Sequence, residues 1–183
     1  SLAEQCGVKE QVLQVTNSAM NGTMLFQDAL RQRLRIMKPS ELHLRLCQQQ
    51  RPPNLSPGVA EFMALLRQRG VQVFIISGGF RQMIEPVAKQ LGVPPDHIIA
   101  NVLQFDSTGA YAGFDESQPT SKTGGKKVAV DLIKQRTGSR VIVMIGDGAT
   151  DLEAKPPADC FIGYGGVEIR EIVRREADWF VTS

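Results

Sequence analysis

Three short stretches of the 183-residue chain set hydroxyls, carboxylates or cations beside glycines that leave the backbone open. Ser77-Gly78-Gly79 follows the apolar run VQVFIIS (71–77) and opens a helical pattern that reaches about Leu91. Unobstructed backbone N–H groups at a helix start form an anion site, and a serine hydroxyl there can donate to a phosphate oxygen. Serine and glycine also serve many strand-to-helix turns simply as turn residues, so this stretch decides nothing by itself. Gly146-Asp147-Gly148-Ala149-Thr150-Asp151 follows VIVMI directly, and its two carboxylates stand four residues apart. Hard oxygens at the top of a buried strand suit magnesium, which takes carboxylates, waters and a substrate phosphate. A plain turn or an Asp N-cap needs fewer acids than this. Gly124-Gly125-Lys126 puts a cation at a helix start, where it opposes the macrodipole; a fixed positive charge aimed at a phosphate explains it. The neighbouring Lys127 reads as a solvated surface residue.

The fourth feature is Arg33. On a helix from Phe26 to Met37, Phe26, Leu30, Arg33 and Met37 share one face, while Arg31 and Arg35 lie opposite. An arginine inside an apolar stripe needs a partner, and a carboxylate is the natural one. That carboxylate belongs either to the protein or to a substrate, and the pattern favours neither.

The elements that must position these residues follow from periodicity. Residues 1 to about 50 carry helix-period patterns: QVLQVTNSAM, LFQDALRQRLRIM and PSELHLRLCQQQ, the last opening with Ser40 as a cap. Leu2, Val8, Val12 and Val15 read as one helical stripe already running at Ser1, so residues upstream are expected. Arg51-Pro-Pro-Asn54 reads as a linker. Beyond it, helices (57–69, from after Gly78-Gly79 to about 91, 125–136) alternate with short apolar strands (71–77, 141–146, 158–165). Continuous apolar strands of this kind indicate a parallel sheet covered on both faces. Residues 98–114 read as a β-hairpin turning at Ser107-Thr108-Gly109. The strand ends and the lysine then meet at the C-terminal edge of one sheet, where open α/β folds bind ligands, and phosphoryl chemistry is implied.

Composition narrows the class. The chain is 42% apolar and 22% charged with a net charge of +2, ordinary for a globular domain and too balanced for a nucleic-acid binder. No apolar run approaches the roughly 20 residues of a membrane span. Cys6, Cys47 and Cys160 are odd in number and far apart, which suits reduced thiols in a reducing compartment rather than a zinc site. The first residues have neither a basic nor an apolar leader segment. A cytoplasmic protein with a small-molecule substrate is expected; organelle targeting upstream of Ser1, and a monomer or a homodimer, stay open.

The stretches VFIISGGFRQMIEPVA, IIANVLQF, YAGFDESQPT, TGGK, MIGDGATDLEA and PPADCFIGYGG closely resemble the phosphoserine phosphatase family of the haloacid-dehalogenase-like superfamily. The resemblance runs over essentially the whole chain, and the combination is far more specific than any one motif. It implies a Rossmann-like parallel-sheet core (53–183) with a small helical cap (1–52) and a β-hairpin flap. It also implies magnesium-dependent hydrolysis of O-phospho-L-serine to serine and phosphate, the last step of serine biosynthesis, through a phospho-aspartate. By position, Ser77, Gly78 and Lys126 match the phosphate-binding residues and Asp147 a Mg2+ ligand. Asp151 matches the acid that orients the metal's waters or the lysine. Gly79 and Thr150 fall among substrate-contacting positions. In the cap, Met20 and Asn21 match a substrate-enclosing Met-Gly pair and Arg33 the arginine for the substrate carboxylate; Phe26 lines the same narrow pocket.

Three features depart from the family. Asn21 and Lys127 stand where many members have glycine, and no DxDxT sequence occurs in these 183 residues. In the family that motif supplies the nucleophilic aspartate and the acid–base aspartate, on a strand between those ending at Ser77 and Asp147. Without a central strand, a sheet keeps a gap of roughly 10 Å and unpaired backbone groups. The chain also stops short of the family's usual C-terminal helix. A fragment without turnover is therefore expected. The alternatives are a non-catalytic short isoform that binds phosphoserine or a partner, and a phosphatase for a related phospho-amino acid such as phosphohomoserine.

Overall fold

The computed structural model describes residues 1–20, 24–50 and 54–183. They form two compact units, 1–54 with 63–123 and 55–62 with 124–183. The architecture is α/β with parallel sheets, as the alternation of helices and apolar runs implies.

The first unit begins with α1 (Leu2–Gln5), α2 (Lys9–Met20), α3 (Phe26–Met37) and α4 (Glu41–Gln50). The single stripe expected from Leu2 to Val15 is cut in two, because Cys6 caps α1 and Gly7 turns left-handed at φ +70. Glycine adopts that conformation without a Cβ penalty. Leu30 and Leu34 of α3 are buried against Leu44 and Leu103, with Phe26 and Met37 packed at the margin. This cluster seats the helix that carries Arg33. At the start of α4 the Ser40 hydroxyl accepts the His43 N–H at 3.3 Å, and the Ser40 N–H donates to His43 Nδ1 at 3.1 Å. Histidine here takes the place of the Glu or Gln of a capping box. The Glu41 N–H is satisfied by the Gly109 carbonyl at 3.0 Å.

The expected helix over 57–69 forms as α5 (Val59–Gln68), which runs across the division between the units. The apolar run over 71–77 forms its strand later than expected. β1 spans Ile75–Phe80 and continues through both glycines before α6 (Arg81–Gln90) begins. β2 (Ile98–Asn101) pairs with it in parallel, in register from Ile75↔Ile98 to Ser77↔Ala100, then with an irregularity that brings Phe80 opposite Asn101. The hairpin expected over 98–114 is correspondingly shorter. It consists of β3 (Leu103–Phe105) and β4 (Tyr111–Phe114), and Ile98–Asn101 belongs to the parallel pair instead. Its turn is held by Asp106 Oδ1, which accepts from the Thr108 N–H (2.8 Å), the Thr108 hydroxyl (2.6 Å) and the Ala110 N–H (3.0 Å).

In the second unit, α7 (Gly125–Thr137) precedes β5 (Val143–Gly146), α8 (Ala149–Leu152), β6 (Cys160–Tyr164), α9 (Glu171–Glu176) and β7 (Trp179–Val181). The strands are parallel in the order β5-β6-β7, over a core that includes Val130, Phe161 and Val173. Among the described residues β1 has only β2 as a strand partner and β5 only β6. The continuous burial expected of an apolar strand is not found on β5, where Val143 and Ile145 are 48% and 46% exposed. No helix among the described residues is long and apolar enough to cross a membrane.

Short carboxylate clamps hold the loops of the second unit. Asp178 pairs with the Lys155 ammonium and accepts the Phe161 N–H at 2.7 Å, and the two together hold its carboxyl below the usual range. Asp159 is lowered in the same way by the Ile142 N–H and Lys134. A carboxyl whose pKa is lower in the folded than in the unfolded state adds stability above its unfolded pKa. That stability disappears as pH falls through the folded pKa. Thermal unfolding followed by circular dichroism should therefore give a Tm that is level near neutrality and drops below about pH 4. Asp178→Asn should lower the neutral Tm and flatten the acid drop; an unchanged acid slope would contradict the assignment.

Candidate active site

In the first unit the structure brings together Ser77, Gly78, Gly79, Phe26 and Arg33. The glycines do not open a helix, as the sequence pattern implies. They extend β1, and the helix starts only at Arg81, because the backbone stays extended long enough for Phe80 to reach Asn101. The donors of this segment are thus strand-end amides rather than a helix N-terminus. The Ser77 oxygen accepts the Gly79 N–H at 3.0 Å, which leaves the hydroxyl proton available to an anion. Beneath the turn lies Asn101, fully buried, a residue that sequence reasoning does not single out. Its amide donates to the Gly78 carbonyl at 2.8 Å, and its oxygen accepts the hydroxyl of buried Thr120 at 3.1 Å. The only signal for it is a polar residue closing an apolar strand.

Phe26, the first residue of α3, lies over this turn. A Cβ at Gly78 would stand 3.3 Å from the Phe26 ring. The Arg33 guanidinium carbon is 5.9 Å from the centroid of the same ring, a cation–π arrangement. Arg33 Nε donates to the Ala29 carbonyl at 3.3 Å, and no carboxylate pairs with the guanidinium among the described residues. Burial alone pulls its pKa below the ordinary arginine range. Of the other two expected cap residues, Met20 ends α2 and Asn21 lies outside the described residues.

In the second unit Lys126 enters at the first turn of α7, after Gly124 in a left-handed conformation at φ +71, as the Gly-Gly-Lys pattern implies. Its ammonium pairs with Asp151 Oδ1 at 2.5 Å, with both side chains mostly buried. The other Asp151 oxygen accepts the Gly148 N–H at 3.1 Å. Lys127 is exposed. The two carboxylates of Gly-Asp-Gly-Ala-Thr-Asp therefore diverge instead of sharing one cation. Asp151 turns inward to the lysine, and exposed Asp147 lies 3.7 Å from Arg170 Nη2. Arg170, which the sequence pattern does not reveal, also pairs with Glu168 at 2.7 Å, and its Nε is buried with no hydrogen-bond partner. Thr150 is exposed on α8.

Gly146 explains why that motif begins with glycine. A Cβ there would fall 2.3 Å from the Asp151 carboxyl carbon, far inside contact distance. No group of three or more His, Cys, Asp or Glu is set to hold a metal among the described residues. Asp147 nevertheless fits a Mg2+ ion held by one protein carboxylate, waters and phosphate oxygens, since its oxygens are exposed and only loosely engaged.

Gly146→Ala should dislodge the Asp151 carboxylate and destabilise the protein by about 1–3 kcal/mol, the usual cost of overpacking. Urea denaturation measures it. Gly138→Ala, strained in a left-handed cap but with open space around it, is the comparison. A smaller loss at 146 than at 138 would contradict the packing argument.

A haloacid dehalogenase-like hydrolase family model matches residues 3–154. The phosphoserine phosphatase of Bos taurus is 48% identical over 99% of this chain and 80% of its own length. A phosphoserine phosphohydrolase-like protein from Francisella tularensis has a solved structure that superposes with a TM-score of 0.83 at 29% identity, covering 99% of this chain and 84% of that one. A structure described as a phospho-aspartyl intermediate analogue of phosphoserine phosphatase gives a TM-score of 0.80 at 25% identity, over 100% and 84% of the two chains. These likenesses give the fold its Rossmann-like type, and by family model and by relatives alike the chain belongs to the haloacid dehalogenase-like hydrolases, within the phosphoserine phosphatase family.

Proposed function

We propose that this chain contributes the substrate-binding and charge-neutralising parts of a Mg2+-dependent hydrolase that converts O-phospho-L-serine to serine and phosphate. The observation that carries the reading is Arg33, a half-buried guanidinium over Phe26 that no protein carboxylate neutralises among the described residues. A substrate carboxylate would supply the missing charge.

The other groups have roles on the same reading. The Ser77 hydroxyl and the Gly78 amide donate to phosphate oxygens, and Gly79, whose N–H is held by Ser77, lies among the substrate contacts. Lys126, oriented by buried Asp151, balances charge as the phosphate bonds rearrange. Asp147 would hold the magnesium, whose chemistry is to neutralise phosphate charge and orient its oxygens. Thr150, Met20 and Asn21 complete the substrate contacts, and Phe26 closes over the phosphate turn and helps exclude water. Residues 1–52 act as the cap and 53–183 as the core.

These 183 residues contain no DxDxT sequence, so the reading assigns them no covalent nucleophile and predicts no turnover by the chain alone. That absence favours a second reading, a short isoform that binds phosphoserine without hydrolysing it. Retention of the Lys126–Asp151 pair weighs against it, because a binding module released from catalysis has no need of a buried charge pair.

Phosphate release should be measured on the chain alone and on a form extended at Ser1 by a family DxDxT strand, with and without magnesium. The chain alone should be inactive. The extended form should hydrolyse phosphoserine, lose activity to a chelator and regain it with Mg2+. In the extended form Arg33→Ala should reduce kcat/KM for phosphoserine by about 10- to 100-fold, the range of a charged hydrogen bond. Turnover of p-nitrophenyl phosphate, which has no carboxylate, should change little. Equal losses on both substrates would sink the role of Arg33.

A further inference from the structure

The position of Arg33 depends on how α3 is held over the Ser77–Gly79 turn. Leu30 and Leu34 seat one side of the helix, but apolar contact is non-directional and leaves its closeness to the turn adjustable. The directional tie comes from another face. Arg31 Nε donates to Glu116 Oε1 at 3.1 Å and Nη2 donates to Oε2 at 2.6 Å, a two-pronged pair between residues 85 apart in sequence. Arg31 Nη1 also reaches Asp28 Oδ1, one turn earlier, at 3.2 Å. Beside this fork, the Gln27 side-chain oxygen accepts both the N–H (3.3 Å) and the hydroxyl (3.2 Å) of Thr123. The loop after β4 thus grips the N-terminal half of α3, whose first residue, Phe26, lies over the turn and under the Arg33 guanidinium.

We infer that Arg31 and Glu116 are positioning residues, a latch that sets how tightly α3, and with it Arg33, closes over the phosphate-binding turn. The inference rests on Arg33 as the substrate-carboxylate site. Neither latch residue touches that site. Hydrogen bonding to Glu116 holds the Arg31 guanidinium above its ordinary range, and Arg31 in turn lowers the Glu116 carboxyl. The other charged groups acting on Glu116 are Arg35 and Lys122, which lower its carboxyl further, and the titratable Tyr111 phenol senses both Arg35 and Glu116. Because both members of the fork are exposed, its strength falls with ionic strength. Substrate affinity should therefore weaken at high salt through this pair.

The test uses neutral variants. A charge swap would set an acid at position 31 against Asp28 and a cation at position 116 against Arg35 and Lys122. Arg31→Gln, Glu116→Gln, the double variant and Arg31→Lys are compared in two ways. Hydrogen exchange is followed at α3 amides of the 183-residue chain, with α7 as the internal control. KM and kcat for phosphoserine are followed in the DxDxT-extended form. Each Gln variant should speed α3 exchange and raise KM roughly two- to five-fold, the range expected for an exposed pair, with kcat and α7 unchanged. The double variant should be no worse than either single one, Arg31→Lys should fall in between, and about 0.5 M salt should erase the differences. Additive effects, or no change in exchange and KM, would overturn the latch. If exchange behaves as stated but no form binds or hydrolyses phosphoserine, the latch stands and the role given to Arg33 falls.

Discussion

A guanidinium withdrawn from water must find a counter-charge or carry a large solvation deficit. Arg33 is held in that condition by its own helix. Leu30 and Leu34 bury one side of α3, the Phe26 ring shields one side of the charge, and the Ala29 carbonyl accepts a single hydrogen bond. What remains is directed positive charge in partly dry surroundings, where a carboxylate is bound more strongly than it would be at an open surface. Phe26 links this charge to Gly78 and so to the serine turn.

The second unit solves the opposite problem. Lys126 and Asp151 are mostly buried, and each makes the other tolerable. The pair exists only because Gly146 has no side chain: the space a methyl group would fill is occupied by the Asp151 carboxylate. The glycine is thus part of the electrostatics, not only of the turn. Asp147, one residue on, is left outside this arrangement with its oxygens accessible, which is what a cation bound partly through water requires.

How much of this could be read in advance depended on range. The start of α7 at Gly125, the strand ending at Gly146 just before Asp147 and the apolar face of α3 were legible because each is set by residues within a turn or two. What was missed is set by distant partners. The backbone of Gly78 and Gly79 stays extended because Asn101 and β2 hold it, so local glycine content pointed wrongly to a helix start. Ile98–Asn101 alternates like a hairpin arm but pairs with β1, a choice made by tertiary contact. β7 is three residues long and is anchored by the carboxylate of Asp178, and Arg170 meets Asp147 only through folding. Divergence of the two aspartates was equally hidden, since spacing gives separation along the chain and says nothing of which way each side chain turns.

The first free amide of α4 finds its acceptor in the Gly109 carbonyl at the tip of the β3–β4 hairpin. During synthesis the ribosome releases Glu41 long before Gly109. Until the later segment emerges, the start of this helix is solvated and free to fray. Completion of the fourth helix is thus deferred to a stage when much of the chain already exists, and lengthening or trimming the distant turn would be felt at a helix to which it is not joined.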